Sequence, residues 1–226
     1  MTVKGFALLS RRPDLTAQQF HEHWRTIHLE LALKIKTTRR YVQLHRTEPS
    51  LPGFPSSSID GVAETWLDDL ETFLARGGDP NYAEHAGRDE ENFLDAPHIE
   101  RVRTIEDVRR PGPLVARDTP LVKGIVFIGR GGGVDGDTFA DWFLGPWAAA
   151  TGKTLPDVVR EVHCRALLDD SPYGGVTELW WRDRHHLTGA EPALNTLAAA
   201  LADGPADPST TVSLVGAELR VIWPDR

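Results

Sequence analysis

The chain has 226 residues, 40% of them apolar, with 33 acidic against 25 basic side chains and a formal net charge of −8. That length allows one sizeable core or two small ones, and the negative charge argues against nucleic acid and anionic membranes as main partners. Cys164 is the only cysteine, which excludes an intrachain disulfide and cysteine-based zinc sites and suits a cytoplasmic location. No apolar run approaches the ~20 residues that cross a bilayer, and the first residues do not read as a signal peptide.

The apolar stretch GFALLS predicts a first strand over about residues 4–10. Thr16 followed by Gln19 has the form of a capping box, and a helix is expected over about residues 17–37. At roughly 100° per residue, Phe20, Trp24, Ile27, Leu31 and Ile35 make one apolar stripe, with His28 at its shoulder. His21 and His23 read as solvated flank residues. Tyr41-Val42-Gln43-Leu44-His45 alternates as a strand over Arg40–Arg46 would, so Tyr41, Gln43 and His45 share one face. A Pro/Gly/Ser loop follows, then a strand over about 61–66, a helix starting near Leu67, a loop and helix within 76–95, and a strand over about 99–106. The acidic run Asp89–Glu91 reads as a solvated helix face. Pro111, Gly112, Pro113 and Pro120 mark a linker.

Beyond the linker the pattern returns. Val3-Lys4-Gly5-Phe6 reappears as Val122-Lys123-Gly124-Ile125, Phe20 as Phe139 at the same offset, and Gly61-Val62-Ala63-Glu64-Thr65-Trp66 as Gly175-Val176-Thr177-Glu178-Leu179-Trp180. At the offset of the first match, Trp147 stands where His28 stood. Helix expectations in this half are a cap at Asp137 or Thr138, a kink or early stop at Pro146 and a helix over about 192–201. Strands are expected near 160–168, 176–182 and 218–223, with residues 206–211 read as a loop. Each half reads strand, helix, strand, strand, helix, strand. The fold class expected is α+β: two ferredoxin-like βαββαβ repeats, residues 1–110 and 118–226, fused into a pseudo-dimeric α+β barrel.

The strand VKGFALLSRRPDLT, the set Phe20, His23, Trp24 and His28, the set Arg40, Tyr41 and His45, the segment GVAETWLDD and the acidic Asp89, Glu90, Phe93 and Asp95 together resemble the EthD-like family of dimeric α+β barrel proteins. The resemblance covers about residues 3–108 and weakens in the second half. It implies a small apolar pocket between sheet and helices and cofactor-free chemistry. Relatives belong to ether-degradation clusters or act as dehydratases or decarboxylases on aromatic polyketides. More distant barrels of this shape isomerise lactones, oxidise anthrones or bind haem, so the fold selects no reaction.

A histidine titrating near neutrality beside a phenol can move protons in a dry cavity. The expected catalytic group is His28 as base, Tyr41 as donor to a developing enolate oxygen and His45 as acid for a leaving hydroxyl. His28 could instead hydrogen-bond backbone at the barrel rim, and His45 could face outward. Trp24, Arg40, Glu64, Trp147 and His163 are candidate substrate contacts, with Arg40 or Lys4 available for an acidic substrate group. Glu64 could equally pair with an arginine. No metal is expected; the adjacent His185-His186 would point apart, and Gly129–Gly133 lacks phosphate-loop spacing. The leading expectation is a cofactor-independent lyase or isomerase acting on a small hydrophobic, aromatic or polyketide-like carbonyl compound. A cofactor-free anthrone-type monooxygenase, a non-catalytic ligand carrier, a haem-binding variant and a further homodimer stay open.

Overall fold

The computed structural model describes residues 1–113, 116–155 and 157–223; residues 114 and 115 of the linker and the last three positions lie outside them. Eight strands close a single barrel in the order β1-β3-β2-β8-β5-β7-β6-β4. The strands are β1 (Val3–Leu9), β2 (Arg40–Arg46), β3 (Gly61–Leu67), β4 (Glu100–Arg110), β5 (Val122–Arg130), β6 (Arg160–Ala166), β7 (Gly175–Trp181) and β8 (Ala206–Ile222). All ladders are antiparallel. The first four strands pair as β4-β1-β3-β2 and the last four as β8-β5-β7-β6, the same order twice. Two seams, β2 on β8 and β4 on β6, join the halves and leave no sheet edge open.

Alternation on the strands sends one row of side chains into the barrel and the next toward the helices. Phe6, Leu8, Leu44, Val62, Val102, Ile125, Phe127, Val162, Val176 and Leu214 form one buried cluster that fills the lumen. Near one end the lumen carries charge. Lys4 Nζ lies 2.6 Å from Glu178 and 2.9 Å from Glu64, and Lys123 Nζ contacts the same two carboxylates. The two ammonium groups sit over the Trp66 and Trp180 rings at 4.3 and 4.5 Å. Glu64 therefore pairs, as one reading of the strand allowed, with lysines rather than an arginine.

The capping box is formed: Thr16 Oγ1 accepts from the Gln19 amide, and the Gln19 side chain accepts from the Thr16 amide. The helix that it starts is α1 (Ala17–His23), then a wide π turn (Trp24–His28), then α2 (Leu29–Ala32). This helix is shorter than the sequence expectation, and its stripe is displaced. A π turn carries one extra residue, so Ile27 turns outward, 55% exposed, while His28 turns inward, 9% exposed. The second half repeats the device as α5 (Gly136–Trp142), a π turn (Phe143–Trp147) and α6 (Ala148–Thr154), capped by Asp135 rather than Asp137 or Thr138. Pro146 sits within that π turn, and the helix runs on past it.

Other departures are local. The helix expected near Leu67 begins later, as α3 (Leu70–Ala75), capped by Asp69. The helical part of 76–95 includes α4 (Gly87–Phe93). His185 and His186 lie in α7 (Arg184–Gly189), ahead of α8 (Glu191–Ala200). Residues 206–211, read as a loop for their Pro, Ser and Thr, begin the 17-residue β8, which pairs with β5 and β2 across a break in register near Phe127 and Gly129.

Glu178 is fully buried and holds both lysines. Removing it would leave the two buried lysines with Glu64 and the more distant Glu106 and Glu218 alone, an incomplete match in a desolvated site. Glu178→Gln should lower stability by about 3–5 kcal/mol, read as a lower urea midpoint at unchanged m-value; an unmoved midpoint would contradict this role.

Candidate active site

The cavity of interest lies outside the lumen, between the outer sheet face of the first half and its helices, with a volume of about 280 Å³. Its floor is made of small residues. Gly5 pairs with Thr65 and Ala7 with Ala63 across β1 and β3, and a Cβ on Gly5 would stand 2.0 Å from Phe73 Cζ. The register-equivalent pairs in the second half are Gly124 with Leu179 and Val126 with Thr177. Val126, Leu179, Phe143, Trp147 and Trp181 pack there into one core with Leu51 and Phe54. The same architecture thus leaves a hollow in one half and fills it in the other.

Trp24, His28 and Tyr41 all line this cavity. The π turn delivers His28, and a second element holds it. Asp89 on α4 is buried, not solvated, and its carboxylate accepts from His28 Nδ1 at 3.0 Å, His23 Nε2 at 2.9 and 3.0 Å and Asn92 Nδ2 at 3.1 Å. Burial alone would raise the Asp89 carboxyl; the bonds from His28, Asn92 and His23 outweigh it and hold it at about 2. An ionised Asp89 can only accept, so His28 carries its proton on Nδ1. Among the described residues its Nε2 has no hydrogen-bond partner, and the residue lines the cavity. The His23 and His28 rings rest on Phe93 at 4.8 and 5.0 Å between centroids. Asp89 is the group that the sequence reading missed; its spacing from Phe93 was part of the family pattern, but an acidic run on a short helix gave no sign of burial.

Tyr41 is held by a directed chain of hydrogen bonds. Gln43 Nε2 donates to Tyr41 Oη at 3.1 Å and to the Trp24 carbonyl at 2.9 Å, so Gln43 Oε1 must accept from His45 Nε2, 3.0 Å away. His45 Nδ1 then accepts from His21 Nδ1 at 2.9 Å. Trp24 Nε1 also donates to Tyr41 Oη at 3.1 Å. With two donors already on its oxygen, the phenol has its own proton free to aim into the cavity. His45 itself does not line the cavity. It sits behind Tyr41 and Gln43, against the Trp24 ring. Burial, then His21 and Arg25, lower its pKa to about 3, so it is neutral at pH 7 and unsuited to protonating a leaving group.

The remaining sequence candidates lie elsewhere. Arg40 and Glu64 border the charged end of the lumen together with Trp66, Trp180 and Trp223. Trp147 occupies the position in its π turn that His28 holds in the first, and donates Nε1 to Thr177 Oγ1 at 2.9 Å within the second-half core. His163 is buried nearby, with Nε2 2.8 Å from Glu161 and Nδ1 3.2 Å from Thr177 Oγ1. None of these four reaches the cavity. Lys4, suggested for an acidic substrate group, is bound in the lumen cluster instead. Arginines that do line the cavity are Arg76, Arg101 and Arg103.

The depressed His45 pKa makes a prediction with a definite sign. Between the ordinary 6.5 and about 3, the unfolded chain binds a proton at this position that the folded chain refuses, so stability falls as pH falls through that window. In His45→Gln this contribution disappears. Its unfolding free energy, followed by denaturant titration from neutral pH to pH 4, should have an acid slope shallower by up to about 1.4 kcal/mol per pH unit. An identical slope would place the acid sensitivity elsewhere.

Comparison with known proteins agrees with this architecture. Residues 12–97 match the EthD domain. No curated protein matches the chain. Among solved structures, an anthrone oxidase-like protein superposes with a TM-score of 0.64 at 10% identity, over 97% of this chain and 93% of the other. A protein from Lactobacillus acidophilus NCFM, named for a proposed monooxygenase activity, gives 0.54 at 8% identity over 97% and 94%. A mutant chlorite dismutase from Candidatus Nitrospira defluvii, in complex with cyanide, gives 0.51 at 11% identity over 98% and 92%. At these identities the likeness is one of fold. Residues 12–97 of this chain thus match the EthD domain, and the chain shares its α+β barrel fold with these solved structures.

Proposed function

We propose that this protein is a cofactor-independent proton-transfer enzyme, a lyase or isomerase, acting on a small aromatic or polyketide-like carbonyl compound. The observation that supports it is a single cavity presenting both an imidazole backed by an ionised carboxylate and a phenol whose oxygen already receives two N–H bonds. In this reading His28 Nε2 takes the proton from the carbon beside a carbonyl, and Asp89 steadies the imidazolium that results. Tyr41 donates its O–H to the oxygen on which negative charge develops. For an isomerisation His28 returns the proton to another carbon of the same enolate. For an elimination it returns the proton to a departing hydroxyl, which leaves as water. His45 takes no part in the transfer; with Gln43 it orients Tyr41. The apolar walls, Trp24, Phe73 and Phe93 among them, keep bulk water from the enolate.

The two sequence-similar halves fit a tandem fusion of residues 1–110 and 118–226 in which the first copy keeps the site. The haem alternative fits poorly. His28 has the carboxylate partner that metal-bound imidazoles use, but 280 Å³ falls below the roughly 300–1,000 Å³ of drug-sized ligand pockets. A macrocycle of four pyrroles would displace the walls that form it. Oxygenation without a cofactor would begin with the same deprotonation, and oxygen uptake tells it apart.

The test uses 2-tetralone as a probe, following exchange of its acidic C–H for deuterium by NMR. The wild type should accelerate exchange over buffer, and folded His28→Gln should lose about 10²–10⁴-fold of that acceleration. Tyr41→Phe should lose about 10²-fold. Exchange unaltered in both folded variants would overturn the assignment, and oxygen consumption in the same incubation would move it to the monooxygenase reading.

A further inference from the structure

Three guanidinium groups reach the cavity, from Arg76, Arg101 and Arg103, against one carboxylate, Glu90. Glu90 is already engaged: it accepts from Tyr82 Oη at 3.0 Å and pairs with Arg101 Nη2 at 3.2 Å. Arg76 and Arg103 are different. Among the described residues neither guanidinium forms an ion pair or a hydrogen bond, and the Nε of each is buried without an acceptor. Each instead lies over a ring, Arg76 over Tyr82 at 5.4 Å and Arg103 over Phe73 at 5.5 Å. Those aromatic contacts fix where the planar groups sit and leave the two buried Nε–H groups without acceptors. Buried donors are satisfied in the great majority of folded proteins, and a buried N–H left without an acceptor costs stability unless something completes it. The one carboxylate in the wall, Glu90, acts on Arg76 from a distance but is already bonded to Tyr82 and Arg101.

We infer that the cavity is completed by an anionic ligand, an aromatic or cyclic compound bearing a carboxylate, with Arg76 and Arg103 taking the carboxylate while its carbonyl end meets Tyr41 and His28. This rests on the reading of the cavity as the substrate site and names the substrate's charge. Arginine suits the task because its planar fork meets a carboxylate two-point and keeps its charge at any physiological pH. Gly5, Ala7, Ala63, Phe73 and Phe93, also in the lining, suit a flat apolar body. An acidic group held at one end would also fix which carbon faces His28, so the two arginines would set regiochemistry as well as affinity.

Calorimetric titration of the full chain with 2-naphthoate and with its neutral analogue naphthalene-2-carboxamide tests this, at a pH where the acid is ionised. The acid should bind about tenfold or more tighter than the amide, since a hydrogen bond to a charged group contributes roughly 1.5–3 kcal/mol. Arg76→Gln and Arg103→Gln should each cut the acid's affinity about tenfold, with the amide's affinity little moved, and Arg103→Lys should restore part of the loss. His28→Gln should keep the preference for the acid, so failure of the proton-transfer reading and failure of this one are separable. Equal affinity for acid and amide, a preference that survives in the folded double variant, or no heat with the acid at millimolar concentration would each overturn the inference.

Discussion

Asp89 is the contact on which the order of the candidate site depends. One carboxylate on α4 joins two histidines from the α1 helix and its π turn, fixes the His28 tautomer and holds the ring on Phe93. Without it, His28 would be a half-packed imidazole of undefined proton position. With it, the ring has one nitrogen committed to the protein and the other left for a ligand. The same contact ties the second helical segment of the first half to the first, so the roof of the cavity and the His28 ring are fixed by one group.

The two halves show how little separates a packed layer from a hollow one. Strand order, ladder register and even the π turn recur. Ala7 and Ala63 against Val126 and Thr177 account for much of the difference at the sheet, and His28 against Trp147 at the helix. Trp147 and its neighbours fill with aromatic volume what the first half leaves vacant. Buried polar groups occur in both halves, Gln43 and His28 in the first and Glu161 and His163 in the second; what differs is that the second half fills the space beside them with a dense core.

Much of the fold was legible because it rests on local signals. Thr16 and Gln19 announced a helix start, Tyr41 to His45 alternated as the strand they form, and the recurring Val-Lys-Gly and Gly-Val-x-Glu segments marked equivalent strands. The placement of Tyr41 and His45 on one face was correct, yet alternation could not say that only Tyr41 would reach the cavity, because Gln43 and Trp24 close it off from His45. The π turn was invisible to a 3.6-residue projection, which is why Ile27 was assigned inward. Asp89 and Arg76 lie in segments with weak periodicity, and Arg103 on a strand whose facing the pattern does not give; they meet the site only through packing between elements distant in sequence. The long β8 was hidden by turn-forming residues that tertiary pairing with β5 overrides.

Both seams of the barrel, β2 on β8 and β4 on β6, are made within one chain. Ring closure is therefore unimolecular: the effective concentration of one half for the other is set by the tether, and dilution cannot open it. It also means that a substitution falls on one side of the ring alone. A symmetric pair of identical subunits must accept every change twice, whereas here an imidazole stands on one side and an indole at the matching place on the other.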